Sequence, residues 1–359
     1  MLYLFNYLCI IKQSRGCKHY SFIPVRQYSK KRDEESCDCR TGCLTIYVDI
    51  KLMDTLTKLS FRPVTIDAVP ALREILRKAE SRTCDYTIAG LLMWSDYFHY
   101  QYDIVDNTLF IKGVSENDTA VPAFSMPIGD MALRDAISLV FDYCRHHNLP
   151  VQFSAVPEDR LSDFYCLGPC RIEELTDWAD YLYNAADLAT LQGNKYSKKR
   201  NHVNRFIANN PDYDYRPLTI DNIEAVKEFY HRTTLQPDAS QELADAEREQ
   251  VFNVLDNYQR FPFEGAVLST HRHGIVAFTI GEIIGDTLYV HIEKMNHTIP
   301  GAGETINKLF AADMTARHGI DYINREEDVG DEGLRKAKLS YHPVMLLKKY
   351  NLSIENPKA

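Results

Sequence analysis

The 359-residue sequence has no apolar run long enough to cross a bilayer. Its one apolar stretch near the amino terminus, residues 1–11, is interrupted by Asn6 and falls short of the roughly 20 residues a spanning helix needs. A secretory signal is missing too: Lys12 and Arg15 follow the apolar run instead of preceding it, and no small-residue cleavage site comes after. Positive charge is not in excess. With 41 Lys and Arg against 50 Asp and Glu, the net charge of −9 excludes a protein that coats nucleic acid through its overall field and leaves room only for a local basic patch. Cys37, Cys39 and Cys43 lie close together, but their spacing is not that of a zinc finger or ribbon and no His completes it, so no metal is expected. Five of the nine cysteines crowd into residues 1–43 and the rest (Cys84, Cys144, Cys166, Cys170) are scattered, the distribution of reduced thiols in a cytoplasmic protein. No activated Ser or Cys motif announces a covalent mechanism.

What is present is an ordinary globular composition, 45% hydrophobic and 25% charged, in a chain long enough for two hydrophobic cores. Residues 1–52 carry no helix or strand periodicity and read as an appended segment, either a disordered leader or the product of a misassigned start. From Phe61 the chain alternates strands and amphipathic helices, and it does so twice. The first pass has a strand at 61–66, helices at 67–80 and 88–98, a hairpin turning at Asp106–Asn107, a strand at 120–127, a helix at 129–148, a strand at 151–156, a short helix near 160–167 and a strand at 171–175. The second has a strand at 213–218, helices at 223–234 and 240–258, a meander over 264–294, a helix at 303–318, a strand at 322–326 and a helix at 333–339. This β-α-α-β-β-β-α-β-α order is the one the GNAT fold uses, so the expected class is α/β (α+β) with two tandem GNAT-like domains, 53–178 and 211–359, joined by a linker with a basic helix over 179–210.

Four strings carry a resemblance: Asp180–Tyr183 (DYLY), Leu191–Phe206 (LQGNKYSKKRNHVNRF), His291–Asn296 (HIEKMN) and Asn324–Pro343 (NREEDVGDEGLRKAKLSYHP). Together they are similar to the carboxy-terminal domain family of phosphatidylglycerol lysyltransferase, in particular its standalone bacterial members, from about Phe61 onward. The resemblance implies a double GNAT fold related to the Fem-type transferases. It also implies transfer of an aminoacyl group from aminoacyl-tRNA to an amine or hydroxyl on a small-molecule, peptide or lipid acceptor. The membrane-bound lysyltransferases carry a large transmembrane region that this sequence does not match, which leaves the lipid acceptor open.

Several groups of residues can carry such chemistry. Lys195, Lys198, Lys199, Arg200, His202 and Arg205 form a basic run interleaved with aromatics. It reads either as a grip on tRNA phosphates or as the solvated face of a linker helix. The loop Thr298–Gly303 (TIPGAG) places Gly301 and Gly303 where GNAT enzymes hold the diphosphate of coenzyme A, but Thr298 stands where the signature has Gln or Arg, so a plain tight turn is the equal alternative. On the strand 287–294, His291 and Glu293 alternate onto one polar face. Glu293 is the first candidate for a general base and His291 the second, the alternative being that both simply hydrogen-bond within a half-buried polar core. Asn324, Arg325, Glu326, Glu327 and Asp328, followed by Arg335, Lys336 and Lys338, are either a pocket for a cationic aminoacyl group beside a basic helix or an internal salt-bridge network. Tyr341 is the candidate acid toward the leaving group. A coenzyme A dependent N-acetyltransferase and a non-catalytic binding protein are the competing functions.

Overall fold

In the computed structural model the described residues are 58–115, 118–167, 169–233 and 241–354, together with a short antiparallel pair, Tyr7–Leu8 with Ile23–Pro24. The rest of the segment expected as a leader, including the Cys37, Cys39 and Cys43 cluster, lies outside them. The chain divides into two units, 1–56 and 57–359, and every element below belongs to the second.

The first sheet begins with β1 (Arg62–Pro63), shorter than expected because Pro63 has no N–H to continue a ladder. α1 (Val69–Leu76) starts with Pro in its first turn and buries Val69, Leu72, Ile75 and Leu76, an i, i+3, i+6, i+7 stripe. α2 (Ile88–Met93) is capped by the Thr87 hydroxyl, which accepts the Gly90 N–H. Strands β2 (Gln101–Val105) and β3 (Thr108–Ser115) meet at Asp106–Asn107, both in the left-handed region, which gives the hairpin its tight turn. β4 (Asp118–Phe124), the short β5 (Ile128–Gly129), α3 (Leu133–His147) and β6 (Val151–Pro157) follow, then β7 (Cys170–Glu174). α3 buries Ala136, Ile137, Val140 and Cys144 and stops at left-handed Asn148.

The second sheet repeats the plan. After β8 (Asp180–Asn184), α4 (Ala185–Thr190) and the basic helix α5 (Ser197–Asn209) come β9 (Asp214–Pro217), α6 (Ile220–Thr233) and α7 (Gln241–Asp256). The meander is β10 (Phe263–Thr270), β11 (Gly274–Ile284) and β12 (Thr287–Met295), and α8 (Ala302–His318), β13 (Tyr322–Asn324), α9 (Glu332–Leu339), β14 (Met345–Leu347) and β15 (Lys349–Ile354) complete the unit. One core lies between the sheet and α8, around Leu288, Ile306, Phe310 and Ile323, and another lies under α6 and α7, around Phe229, Tyr230, Val251 and Phe278.

The order in the first sheet is β1-β2-β3-β4-β6-β15-β7 and in the second β9-β10-β11-β12-β13-β8-β14, with β4/β6 and β12/β13 the parallel pairs. The two sheets exchange strands. β15 inserts between β6 and β7 of the first sheet, and β8 inserts between β13 and β14 of the second. The sheets therefore do not separate at residue 178 or 211, as a tandem division by sequence would have them do. Periodicity within a strand says which face is buried but not which sheet receives it.

Candidate active site

The strand exchange brings ends of the two sheets together and buries charge between them. The Lys349 ammonium, only 1% exposed, lies 2.7 Å from Asp180 Oδ1, 2.9 Å from Asp85 Oδ2, 3.4 Å from Cys84 Sγ and 3.9 Å from Glu327 Oε2. Asp180 in turn accepts the Cys84 N–H at 2.6 Å and the Asn324 amide at 2.7 Å. Burial pushes the Asp85 and Asp180 carboxyls up, against the pull of Lys349. Burial also opposes the Lys349 charge, but Asp180 and Asp85 outweigh it and hold the ammonium pKa well above its usual value. Burial and then Asp180 raise the Cys84 thiol far above the range in which it would ionise.

Beside this cluster is a narrow cleft of about 30 Å³, lined by the carboxylates Asp85, Glu326 and Glu327 and walled by Trp94, Phe98, Tyr100 and Trp178. The aromatics brace one another, with Phe98 5.6 Å from Tyr100 and 6.1 Å from Trp178 between ring centroids. Glu326 is left-handed (φ 58°), which ends β13 at Asn324 instead of Glu326 and turns its carboxylate onto His291 Nδ1 at 2.6 Å. Burial works against charge on the His291 ring, but Glu282 and Glu326 on its two sides outweigh it and hold the imidazole pKa up at about 9. Glu326 makes the hydrogen bond, whereas Glu282, 3.7 Å from Nε2, acts through charge and anchors α2 by accepting the Ile88 N–H. His291 is thus an imidazolium at neutral pH, a partner for Glu326 and not a free proton acceptor.

A second cluster lies where β12 and β13 diverge. Both oxygens of Glu293 are committed, one to Arg325 Nη2 at 2.8 Å and the other to the Asn307 amide at 3.1 Å. The Arg325 guanidinium sits 4.9 Å from the Tyr341 ring centroid and its Nη1 is buried with no hydrogen-bond partner among the described residues, as are Asn307 Oδ1 and Thr305 Oγ1. Lys199 lies over the same ring at 4.0 Å and 3.6 Å from Glu304, and burial lowers its pKa. Burial raises that of Tyr341, which stays protonated.

The basic run is split by these contacts. Arg200 donates to the carbonyls of Leu191 and Gly193, Lys195 pairs with Asp187, and Lys199 and His202 share Glu304; Lys198 and Arg205 are exposed and have no partner among the described residues. At the TIPGAG loop, Gly301 (φ 86°) faces the His202 carbonyl, too near for a Cβ to fit, and Gly303 faces Met295. Both glycines let α8 approach its neighbours closely. Asp328 is taken by Arg335 and the Tyr181 hydroxyl, Arg335 also reaches Asp177, and the buried Lys338 ammonium donates to the carbonyls of Arg325 and Glu327. Lys336 is exposed. Of the acids after Asn324, only Glu326 and Glu327 reach the cleft. Sequence reading missed Cys84, Asp85, Asp180, Trp178 and Lys349. The one signal available was an acid, Asp180, heading the aromatic and apolar run Tyr181–Tyr183.

Two mixed sheets with one strand order, each containing a parallel pair bridged by a helix, define a tandem GNAT-like acyltransferase fold. The chain belongs to the family described as phosphatidylglycerol lysyltransferase, C-terminal, which it matches over residues 76–353. Among solved structures it is similar to a conserved protein of unknown function from Bacteroides thetaiotaomicron, at 32% identity and a TM-score of 0.76 over 83% of this chain and all of that one. It shares its fold with L-PGS from Bacillus licheniformis, at 14% identity and a TM-score of 0.59 over 84% of this chain and 95% of that one. It is also 23% identical over 180 residues to an uncharacterized protein of Mycoplasmoides gallisepticum, a match spanning 49% of this chain and 56% of that protein. The chain therefore spans about half the length of that curated relative. No helix among the described residues is long and apolar enough to cross a membrane.

Proposed function

We propose that the protein is a cytoplasmic aminoacyltransferase that moves a cationic aminoacyl group from aminoacyl-tRNA to an amine or hydroxyl. The observation that carries this reading is the cleft, in which Asp85, Glu326 and Glu327 face four aromatic rings. Carboxylates and π faces both attract an ammonium. A volume of about 30 Å³ suits an ammonium head group and not a whole side chain.

In this reading the acceptor's nucleophile attacks the ester carbonyl of the donor, a new C–N or C–O bond forms as the ester C–O bond breaks, the terminal ribose oxygen leaves with a proton from Tyr341, and the proton given up by the nucleophile returns to Tyr341. Arg325, whose buried Nη1 has no partner among the described residues, is suited to the negative charge that develops on the carbonyl oxygen. Glu293 and Asn307 hold that guanidinium in place, which makes Glu293 a positioning residue, and Tyr341 is the proton donor to the leaving oxygen. Lys198 and Arg205, the two cations of α5 without a partner among the described residues, are the candidates for phosphate contacts. Close packing of Gly301 against α5 weighs against the coenzyme A alternative.

Calorimetry with lysinamide and with norleucine amide, which keeps the four side-chain carbons and lacks the ammonium, tests the reading. Lysinamide should bind at least tenfold more tightly, and a Glu326→Gln, Glu327→Gln variant should erase the difference. Equal binding of both amides would remove the cationic-substrate reading, and measurable affinity for acetyl-CoA would replace it with the acetyltransferase one.

A further inference from the structure

The chain has two tryptophans, Trp94 and Trp178, and both line the cleft that also holds Asp85, Glu326 and Glu327. They reach it from separate elements. Trp94 caps the C-terminal end of α2, and Trp178 ends a single helical turn just before β8. Phe98 lies between them, its ring centroid 6.4 Å from that of Trp94 and 6.1 Å from that of Trp178, and Tyr100 follows at 5.6 Å from Phe98. Indole offers a cation the strongest π attraction of any side chain. The chain spends both of its indoles here.

The carboxylates of the cleft supply charge, but each already serves a donor of the protein. Glu326 holds His291 at 2.6 Å, Asp85 holds Lys349 at 2.9 Å, and Glu327 accepts the Cys84 thiol at 3.1 Å. A primary ammonium brings three N–H groups, and each of them needs an acceptor once it has left water. Rings do not replace those acceptors. Every N-methyl group removes one such donor, keeps the positive charge and adds apolar surface for the rings to bury. The space agrees. At about 30 Å³ the cleft is roughly two to three times the 10–15 Å³ that one water-sized group takes on the same measure. A bare ammonium leaves part of it empty, and methyl groups fill it.

We infer that the cleft selects an N-methylated ammonium, held in the field of Asp85, Glu326 and Glu327 against the rings of Trp94, Phe98, Tyr100 and Trp178. The inference rests on the reading of the cleft as a cation site and names the kind of cation. Because both indoles wall the cleft, their emission reports binding without a label. Tetramethylammonium, methylammonium and guanidinium chlorides are titrated into the full chain at constant ionic strength, with sodium chloride as the blank. Tetramethylammonium should change the emission saturably and bind about tenfold more tightly than either of the other two. A Trp94→Leu variant that melts with the wild type should lose about tenfold of that affinity, read from Trp178. Should the variant fold poorly, the order of the three cations on the wild type decides alone. Choline and Nε-trimethyllysine amide tell the carriers apart, since the one that binds more tightly than tetramethylammonium carries the group. Methylammonium or guanidinium binding as tightly as tetramethylammonium would overturn the inference and leave the cation site standing. Undiminished tetramethylammonium affinity in a folded Trp94→Leu variant would do the same. If none of the three cations binds, the inference is overturned, and lysinamide titrated alongside shows whether the cationic reading of the cleft falls with it.

Discussion

Lys349 and Asp180 form an ion pair at 2.7 Å in which neither side chain is more than 1% exposed, and each comes from a strand that has crossed into the other half's sheet. The pair therefore sits where the two exchanges meet. Replacing Lys349 with Met keeps the apolar stem and removes the charge, leaving the buried Asp180 and the half-buried Asp85 without their cation. The expected cost is about 3–5 kcal/mol, a fall in melting temperature on the order of 10 °C. A Lys349→Met protein that melts with the wild type would show that the pair contributes nothing net.

His291 gives a pH dependence whose sign is fixed by its surroundings. Its folded pKa of about 9 lies above the usual imidazole value, so its contribution is complete below about pH 6.5 and is lost as pH rises through 9. Linkage makes the loss on the order of 3 kcal/mol between those limits. Chemical denaturation of wild type and His291→Gln at pH 6.5 and 9.5 should show a decline in the first that is missing in the second.

Charge reversal at Lys198 and Arg205 separates ligand electrostatics from folding, because neither side chain has a partner among the described residues. The Lys198→Glu, Arg205→Glu variant should melt like the wild type and bind tRNA more weakly. Its slope of log affinity against log salt should be shallower by roughly 0.7–0.9 for each phosphate no longer neutralised. Arg200→Glu is the contrast, and should unfold more readily because Arg200 satisfies two backbone carbonyls. A wild type that binds tRNA without salt dependence would end the RNA reading.

Gly301→Ala combines a left-handed φ with a collision against the His202 carbonyl, whereas Gly274→Ala has the φ (65°) and open space around it. Melting of the two variants should therefore differ. The first should lose on the order of 2 kcal/mol or more and the second about 1. Equal losses would mean that α5 is not held tightly against α8.

Much of the architecture was legible because it is written in local patterns. The Asp106–Asn107 turn, the meander from 263 to 295 and the helix ending at His318 follow from turn chemistry and periodicity, and they fall within a residue or two of their expected places. Helix 88–98 stopped early, at Met93, and β13 stopped at Asn324, because the chain turns there for tertiary reasons that no propensity encodes. The site was legible in part. Glu293, Arg325, Tyr341 and Lys199 do converge, but the sequence could not say that both Glu293 oxygens would be occupied. Asp85, Asp180 and Lys349 are far apart in the chain and ordinary in type. What makes them unusual is burial, which exists only once the strands have been exchanged.

The exchange also sets a timetable for synthesis. The first sheet cannot be closed between β6 and β7 until residues 349–354 have left the ribosome, and by then all of the second half has been made. At translation rates of about 5–20 residues per second, the edge of β6 stays open for roughly ten seconds or more, exposed to whatever strand reaches it first. Neither half can be released as a finished product, and a ribosome that stalls anywhere before Lys349 yields a protein with both its sheet and its buried aspartates incomplete.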